Sequence, residues 1–434
     1  MSSSPLPPLN SHGGVAFLLC LLFLSLTACP PAPTEAGRTV SLRSQGIRYT
    51  AVQPDSLETV SAALYDWGRR RNMSSDHYEP NPEQLELLPE KTVLVNLHFL
   101  NYEDKLLKFH GAYAREYGRA MFSQLNSRIS ATPALYLPPG NDIPALPRRL
   151  KFELADDPTT GREGIYVHLD DKLAGYQHTG RQQNRSDKGV VKKYGVATDS
   201  ILNIFFLPAR RDSLKSKTFR QNDLIGVFLG DHIKVGGVVD GDKPAWYYST
   251  NVVHEIGHAL GLNHAWLRRD GCDDTMVHAN DCWGRSSHPH CKEMKSNNLM
   301  DYTNEQLALT PCQIGRMHAR LSQLGSRQRG WAKKTWCTYR PDDPIEITAR
   351  REINGDRDFD TDIFVRRGGD LTLNGRIHLA EGAAIYVAPG GSLTLGPDAI
   401  VHNACGGAPP PILRGRDGGQ AGTITARRGS AYLQ

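Results

Sequence analysis

Val253-His254-Glu255-Ile256-Gly257-His258-Ala259-Leu260-Gly261-Leu262-Asn263-His264-Ala265 is the stretch on which the reading of this chain turns. On a helix, His254 and His258 stand one turn apart on the same face, so both imidazoles can reach one metal ion. Glu255 lies beside the first of them and to one side of that ion. It suits proton transfer from a metal-bound water better than ligation. His264 could not join the pair if the helix simply continued. Gly261 removes the obstacle, because glycine tolerates the left-handed backbone that ends a helix sharply. The full pattern is H-E-x-x-H-x-x-G-x-x-H, with every position filled. Three neutral imidazoles leave a fourth coordination position open, which marks a catalytic zinc site and not a structural one.

Downstream, Ser296-Asn297-Asn298-Leu299-Met300-Asp301-Tyr302 places a methionine in a tight turn. That turn resembles the Met-turn of metzincin zinc peptidases. Together with Leu309-Thr310-Pro311-Cys312-Gln313 and Arg316-Met317-His318 it resembles the pappalysin family in particular. Ile201–Leu207 and Tyr248–His254 sit where that family has a core strand and the lead into the zinc helix. The resemblance spans about residues 90–320. It implies an α/β metzincin catalytic domain, a twisted mixed sheet with an active-site helix, acting as a zinc endopeptidase on protein or peptide substrates. It also implies that Met300 is the hydrophobic floor of the site and that Tyr302 hydrogen-bonds the oxyanion. By order along the chain it pairs Cys272 with Cys291 and Cys282 with Cys312, leaving Cys337 and Cys405 to pair or stay separate. Asp273-Asp274-Thr275 falls where such enzymes often bind Ca²⁺, but the loop is short and carries Met276 where proline is usual, so a solvated acidic turn is the favoured reading and Ca²⁺ the alternative. No cysteine lies between Cys29 and Cys272 to hold the zinc in a latent state, so any inhibition by residues 41–90 takes another route. His278, His288, His290 and His318 lack ligand spacing and read as loop or surface histidines.

Outward from the motif, the organisation is that of several segments. The apolar run Val15–Leu26 suits the core of an export signal and is too short to span a bilayer. It leads into Leu26-Thr27-Ala28-Cys29, which looks like a bacterial lipobox with Cys29 carrying the lipid; an ordinary signal with an incidental cysteine is the alternative. Either way the expectation is export, as a cell-envelope lipoprotein or a secreted protein. Residues 1–29 are thus the signal, and 30–90 a tether and possible pro-segment. That segment has one helix near Ser56–Arg70, and Arg69-Arg70-Arg71 is either a processing site or a solvated helix end. The protease domain occupies 91–337. Its expected strands are Thr92–Leu100, Leu150–Leu154, Ile165–Leu169, Ser200–Leu207 and an irregular edge at Leu224–Val239; its expected helices are Ala112–Ile129 and Pro311–Leu324. Trp336–Pro344 reads as a linker.

Residues 345–434 differ in kind. Ile363–Leu373, IFVRRGGDLTL, recurs 22 positions later as Ile385–Leu395, IYVAPGGSLTL, with a degenerate echo at Ile424. Such a repeat predicts stacked all-β units, a β-solenoid-like module or a sandwich. The 434-residue chain is 39% hydrophobic and 22% charged with a net charge of +5, ordinary for a globular protein. Its basic residues are dispersed, which argues against a nucleic-acid partner. The rival reading is a non-catalytic surface adhesion or glycan-binding protein that uses the repeats.

Overall fold

The computed structural model describes residues 47–52, 58–60, 74–135, 143–176, 186–216, 225–267, 270–275, 296–302, 306–428 and 430–433. Short strands β1 (Arg48–Ala51) and β2 (Glu58–Val60) come first, followed by 3-10 turns at Ser75–Tyr78 and Leu85–Leu87. An α/β region then runs through β3 (Lys91–Asn101), α1 (Gly111–Ser130), β4 (Leu150–Leu154), β5 (Ile165–Leu169), α2 (Gly189–Tyr194), β6 (Leu202–Leu207), α3 (Arg211–Lys215), β7 (Ile225–Phe228), β8 (His232–Gly236), α4 (Ala245–Ala259), α5 (Pro311–Ser322) and α6 (Arg327–Trp331). The sheet order is β4-β3-β6-β8-β7, with β5 also pairing β3, and every pairing is parallel except β7 on β8. A parallel sheet must be covered on both faces, so its central strand reads as a nearly unbroken apolar run. Accordingly Val93, Val95, Leu97, Phe99 and Leu100 of β3 are all buried. Helix α1 presents Ala114, Tyr117, Met121, Leu125 and Ile129 at helical spacing, and this stripe packs against α4.

The remaining strands are β9 (Ile345–Ile347), β10 (Arg350–Asn354), β11 (Arg357–Phe359), β12 (Ile363–Val365), β13 (Asp370–Asn374), β14 (Arg376–Leu379), β15 (Ile385–Val387), β16 (Ser392–Leu395), β17 (Ile400–His402), β18 (Ile412–Asp417), β19 (Gln420–Ala421), β20 (Thr423–Ala426) and β21 (Ala431–Leu433). They form an all-β region of parallel stacks: β9-β12-β15-β18, β10-β13-β16-β20 and β11-β14-β17-β21. The two strands of one sequence repeat do not pair with each other. Each pairs with its counterpart in the next repeat, so Ile345, Ile363, Ile385 and Ile412 align in one row. Leu371, Leu393 and Ile424 make a second row, which accounts for the degenerate echo.

Residues 47–90 depart from the expected tether. β1 pairs antiparallel with β18 and β2 pairs in parallel with β21, so this segment extends two of the C-terminal sheets. Glu58–Val60 is therefore strand where a helix near Ser56–Arg70 is expected; the rest of that stretch lies outside the described residues. Pairing with a distant strand overrides local helical preference. The Tyr78 hydroxyl accepts from the Asp356 amide, and Arg357 donates to the carbonyls of Leu87 and His77. Trp336, expected in a linker, is buried in the α/β core, and Cys337 is bonded to Cys405.

The α/β and all-β regions meet at a buried ion cluster. Asp358 accepts from Lys91 at 2.7 Å, from Arg329 at 2.7 and 2.8 Å and from Arg376 at 3.2 Å. These cations hold its carboxyl well below the usual range against the opposing effect of burial.

His318, expected at the surface, is buried in α5 and donates from Nε2 to the Arg148 carbonyl at 2.8 Å. Burial lowers its pKa from 6.5 to about 3. The unfolded chain therefore binds a proton that the folded chain refuses. Stability is whole above about pH 6.5 and declines as pH falls towards 3, by about 1.4 kcal/mol per unit for such a group. H318Q is expected to flatten this acid limb in urea unfolding measured from pH 7 to 4; an unchanged limb rules the account out.

Candidate metal centre

Helix α4 carries His254, Glu255 and His258 because Tyr248, Val252, Val253, Ile256 and Ala259 bury one face against the sheet and α1. The helix ends as its glycine requires. Gly261 has φ +96°, its N–H donates to the His258 carbonyl, and the Leu262 N–H donates to the Gly257 carbonyl. These two bonds are a Schellman closure. The chain then reverses, and the Ala265 N–H donates to the Met300 carbonyl at 3.0 Å.

The turn brings the three imidazoles together. One ring nitrogen from each of His254, His258 and His264 lies within 4.8 Å of the others, and His258 Nε2 is 3.1 Å from His264 Nε2. Nitrogens held tetrahedrally at about 2.0–2.1 Å from one ion stand about 3.4 Å apart, so the approach is of the right size. His254 Nδ1 donates to the Leu299 carbonyl at 2.8 Å and His258 Nδ1 to the Leu262 carbonyl at 2.9 Å. Those bonds select the tautomer whose Nε2 is a lone pair. His254 Nε2 is buried without any hydrogen-bond partner. Burial lowers the pKa of His254 to about 3, with the neighbouring His258 adding to the effect, and that of His264 to about 4; it lowers His258 as well. All three are neutral near pH 7, the form that binds metal.

Met300 is fully buried beneath α4: a Cβ at Gly257 would come within 2.5 Å of its Sδ. The loop bearing it is pinned from α5. The Met300 N–H donates to Asn298 Oδ1, and the Asn298 amide exchanges two hydrogen bonds with Gln313. Gln313 in turn completes the capping box of α5 with Thr310. The Tyr302 ring lies 4.8 Å from that of His264 and 5.7 Å from that of His254.

Glu255 is 8% exposed and lies against β7, where a Cβ at Gly226 would fall 2.5 Å from its Oε1. A glycine inside a strand can mark a close approach, but only the packing of β7 on α4 shows that Glu255 is what approaches Gly226. If the chain is the zinc peptidase proposed below, G226A is expected to displace the carboxylate, lowering kcat by about 10²-fold while leaving zinc content unchanged. Steady-state kinetics with metal analysis checks this; wild-type kcat would show the contact to be unimportant. Asn298 and Gln313 lie within the motifs quoted for the resemblance, and Thr310-x-x-Gln313 has the spacing of a capping box, but the contact between the two amides is not legible in sequence, and nothing local marks Trp266.

The cysteine pairing differs from expectation. Cys272 is bonded to Cys312, with Cα atoms 5.6 Å apart, in place of the expected Cys272–Cys291 and Cys282–Cys312 pairs. The first turn of α5 lies against the Gly271–Thr275 loop, where Asp274 Oδ2 accepts from the Cys312 N–H at 3.0 Å. Cys282, Cys291, His278, His288 and His290 lie outside the described residues. In the acidic loop Asp274 thus caps α5, and Thr275 donates to Asp270 at 2.5 Å.

No protein-family model matches the chain, and no curated protein matches it. Among solved structures the chain is similar to mirolysin in complex with compound 9 and to mature mirolysin of Tannerella forsythia in complex with a cleaved peptide. For both, identity is 16%, TM-score is 0.37, and the match covers 56% of this chain and 96% of the other. A score of that size carries neither fold nor function across.

Proposed function

We propose that the chain is a zinc-dependent endopeptidase of the metzincin type, pappalysin-like, that hydrolyses internal peptide bonds. The observation that carries the reading is the convergence of His254, His258 and His264 on one point, with the Glu255 carboxylate on the adjacent helix position. The residues suit zinc. His258 and His264 offer imidazole nitrogens 3.1 Å apart, one nitrogen of His254 lies within 4.8 Å of both, and the orphaned buried Nε2 of His254 needs a partner. Bound there, zinc would polarise the scissile carbonyl and bring the pKa of water towards about 7.

The chain's own groups do the rest. Glu255 takes a proton from the attacking water as its oxygen bonds to the carbonyl carbon. It then passes that proton to the amine nitrogen as the C–N bond breaks. Tyr302 donates a hydrogen bond to the oxyanion, and Met300 packs the floor below the histidines. The substrate lies extended along β7, the last strand of its sheet, pairing through backbone groups. We read the stacked parallel sheets of residues 345–434 as a β-solenoid-like module, and the protein as exported, with Cys29 as the lipidated residue. A calcium ion near Asp274 remains a separate expectation from the same resemblance.

The test uses the full-length chain. One zinc per molecule and cleavage of casein that a chelator abolishes and zinc restores are expected. A zinc-loaded chain that cleaves no protein ends the peptidase reading.

A further inference from the structure

Two of the three converging imidazoles are oriented by a hydrogen bond from Nδ1 to a backbone carbonyl, as described above for His254 and His258. Among the described residues His264 Nδ1 has no such acceptor. His264 also stands beyond the helix, on chain released at Gly261, where no helical periodicity sets its direction. A ring in that position must be ordered by its surroundings, or its rotational freedom counts against metal binding.

What surrounds it is aromatic. The Trp266 indole stacks on the His264 ring with centroids 4.1 Å apart and planes 11° from parallel. Tyr302 meets the same imidazole edge-on at 65°, and the Trp266 and Tyr302 rings are 4.3 Å apart. Trp266 is 7% exposed, so the indole is itself held by packing. Face-to-face stacking restrains an imidazole while leaving its edge, and hence both nitrogens, available.

We propose that Trp266 is a positioning residue that holds the third imidazole, His264, and with it the Tyr302 ring, in the arrangement a metal ion requires. The inference rests on the zinc-peptidase reading above. Trp266 acts through the His264 ring on which it stacks. Loss of a partner that orients a metal ligand lowers metal affinity by about 10–100-fold.

The experiment compares the full-length protein with W266L and W266F, each stripped of metal and titrated with zinc against a coloured chelator. W266L is expected to bind zinc about 10–100-fold more weakly. W266F keeps an aromatic face and is expected to stay within about threefold of the parent. The melting temperature of each metal-free protein reports folding separately. A second readout is fluorescence: Co²⁺ should quench a share of the parent's emission that is missing from W266F.

Equal zinc affinity in W266L and the parent, or equal Co²⁺ quenching in W266F and the parent, overturns the inference. Should W266L fail to fold, the quenching comparison decides alone. A parent chain that takes up no zinc overturns the proposed function itself. Zinc uptake by the parent with unchanged affinity in W266L overturns this inference alone.

Discussion

Replacing Glu255 by glutamine is expected to lower kcat by about 10²–10⁴-fold while leaving the fold and the zinc content as they were. Glutamine has nearly the same shape, so the close packing against Gly226 survives. What is lost is the ability to accept a proton, since an amide is not a base at neutral pH. The ligands are untouched because the hydrogen bonds that orient His254 and His258 go to Leu299 and Leu262. The measurement pairs steady-state cleavage of a peptide with zinc content and melting temperature. An E255Q protein within tenfold of the parent's kcat would remove Glu255 from the mechanism. Loss of zinc together with activity would make it a structural residue of the site.

Asp358 carries the second large effect. D358L is expected to cost about 3–5 kcal/mol of stability, read as a shift in the urea unfolding midpoint. The carboxylate is fully buried between Lys91, Arg329 and Arg376, and its removal leaves these buried cations without the partner they share, although Arg376 keeps Asp356. Asp358's folded pKa is depressed, so its contribution is present above the unfolded value of about 3.9 and is lost as pH falls through the folded one. A loss below about 1 kcal/mol would show that the cluster adds little beyond packing. The cluster also bears on where the chain can be cut. A fragment ending before β9 keeps Lys91 and Arg329 but lacks Asp358, and is expected to be less stable than the full chain.

The three-histidine motif was readable because its geometry is local. Two histidines one helical turn apart share a face whatever else the chain does, and a left-handed glycine ends a helix wherever the surroundings allow. The strands of the first sheet and helices α1 and α5 were readable because unbroken apolar runs and helical periodicity are both written into adjacent residues. The repeat at Ile363 and Ile385 likewise announced stacking in advance.

Long-range partners were not readable. The turn of Cys272 towards Cys312 depends on α5 meeting a loop forty residues earlier. β1 and β2 carry no mark of the C-terminal strands they join, and His318 looked like any polar helix residue until Arg148 was brought over it. The same holds for Trp266, whose neighbour His264 was legible while the stacking between them was not.

By itself, then, the chain's order of residues determined which groups could bind one ion and on what kind of backbone they sit, because helix period and glycine conformation act over a few residues. Only the tertiary structure decided which carbonyls set the histidine tautomers, which glycine admits Glu255 and which cations surround Asp358. Those are contacts between segments far apart in sequence, chosen by the packing of the whole chain and by the cost of leaving buried polar groups unpaired.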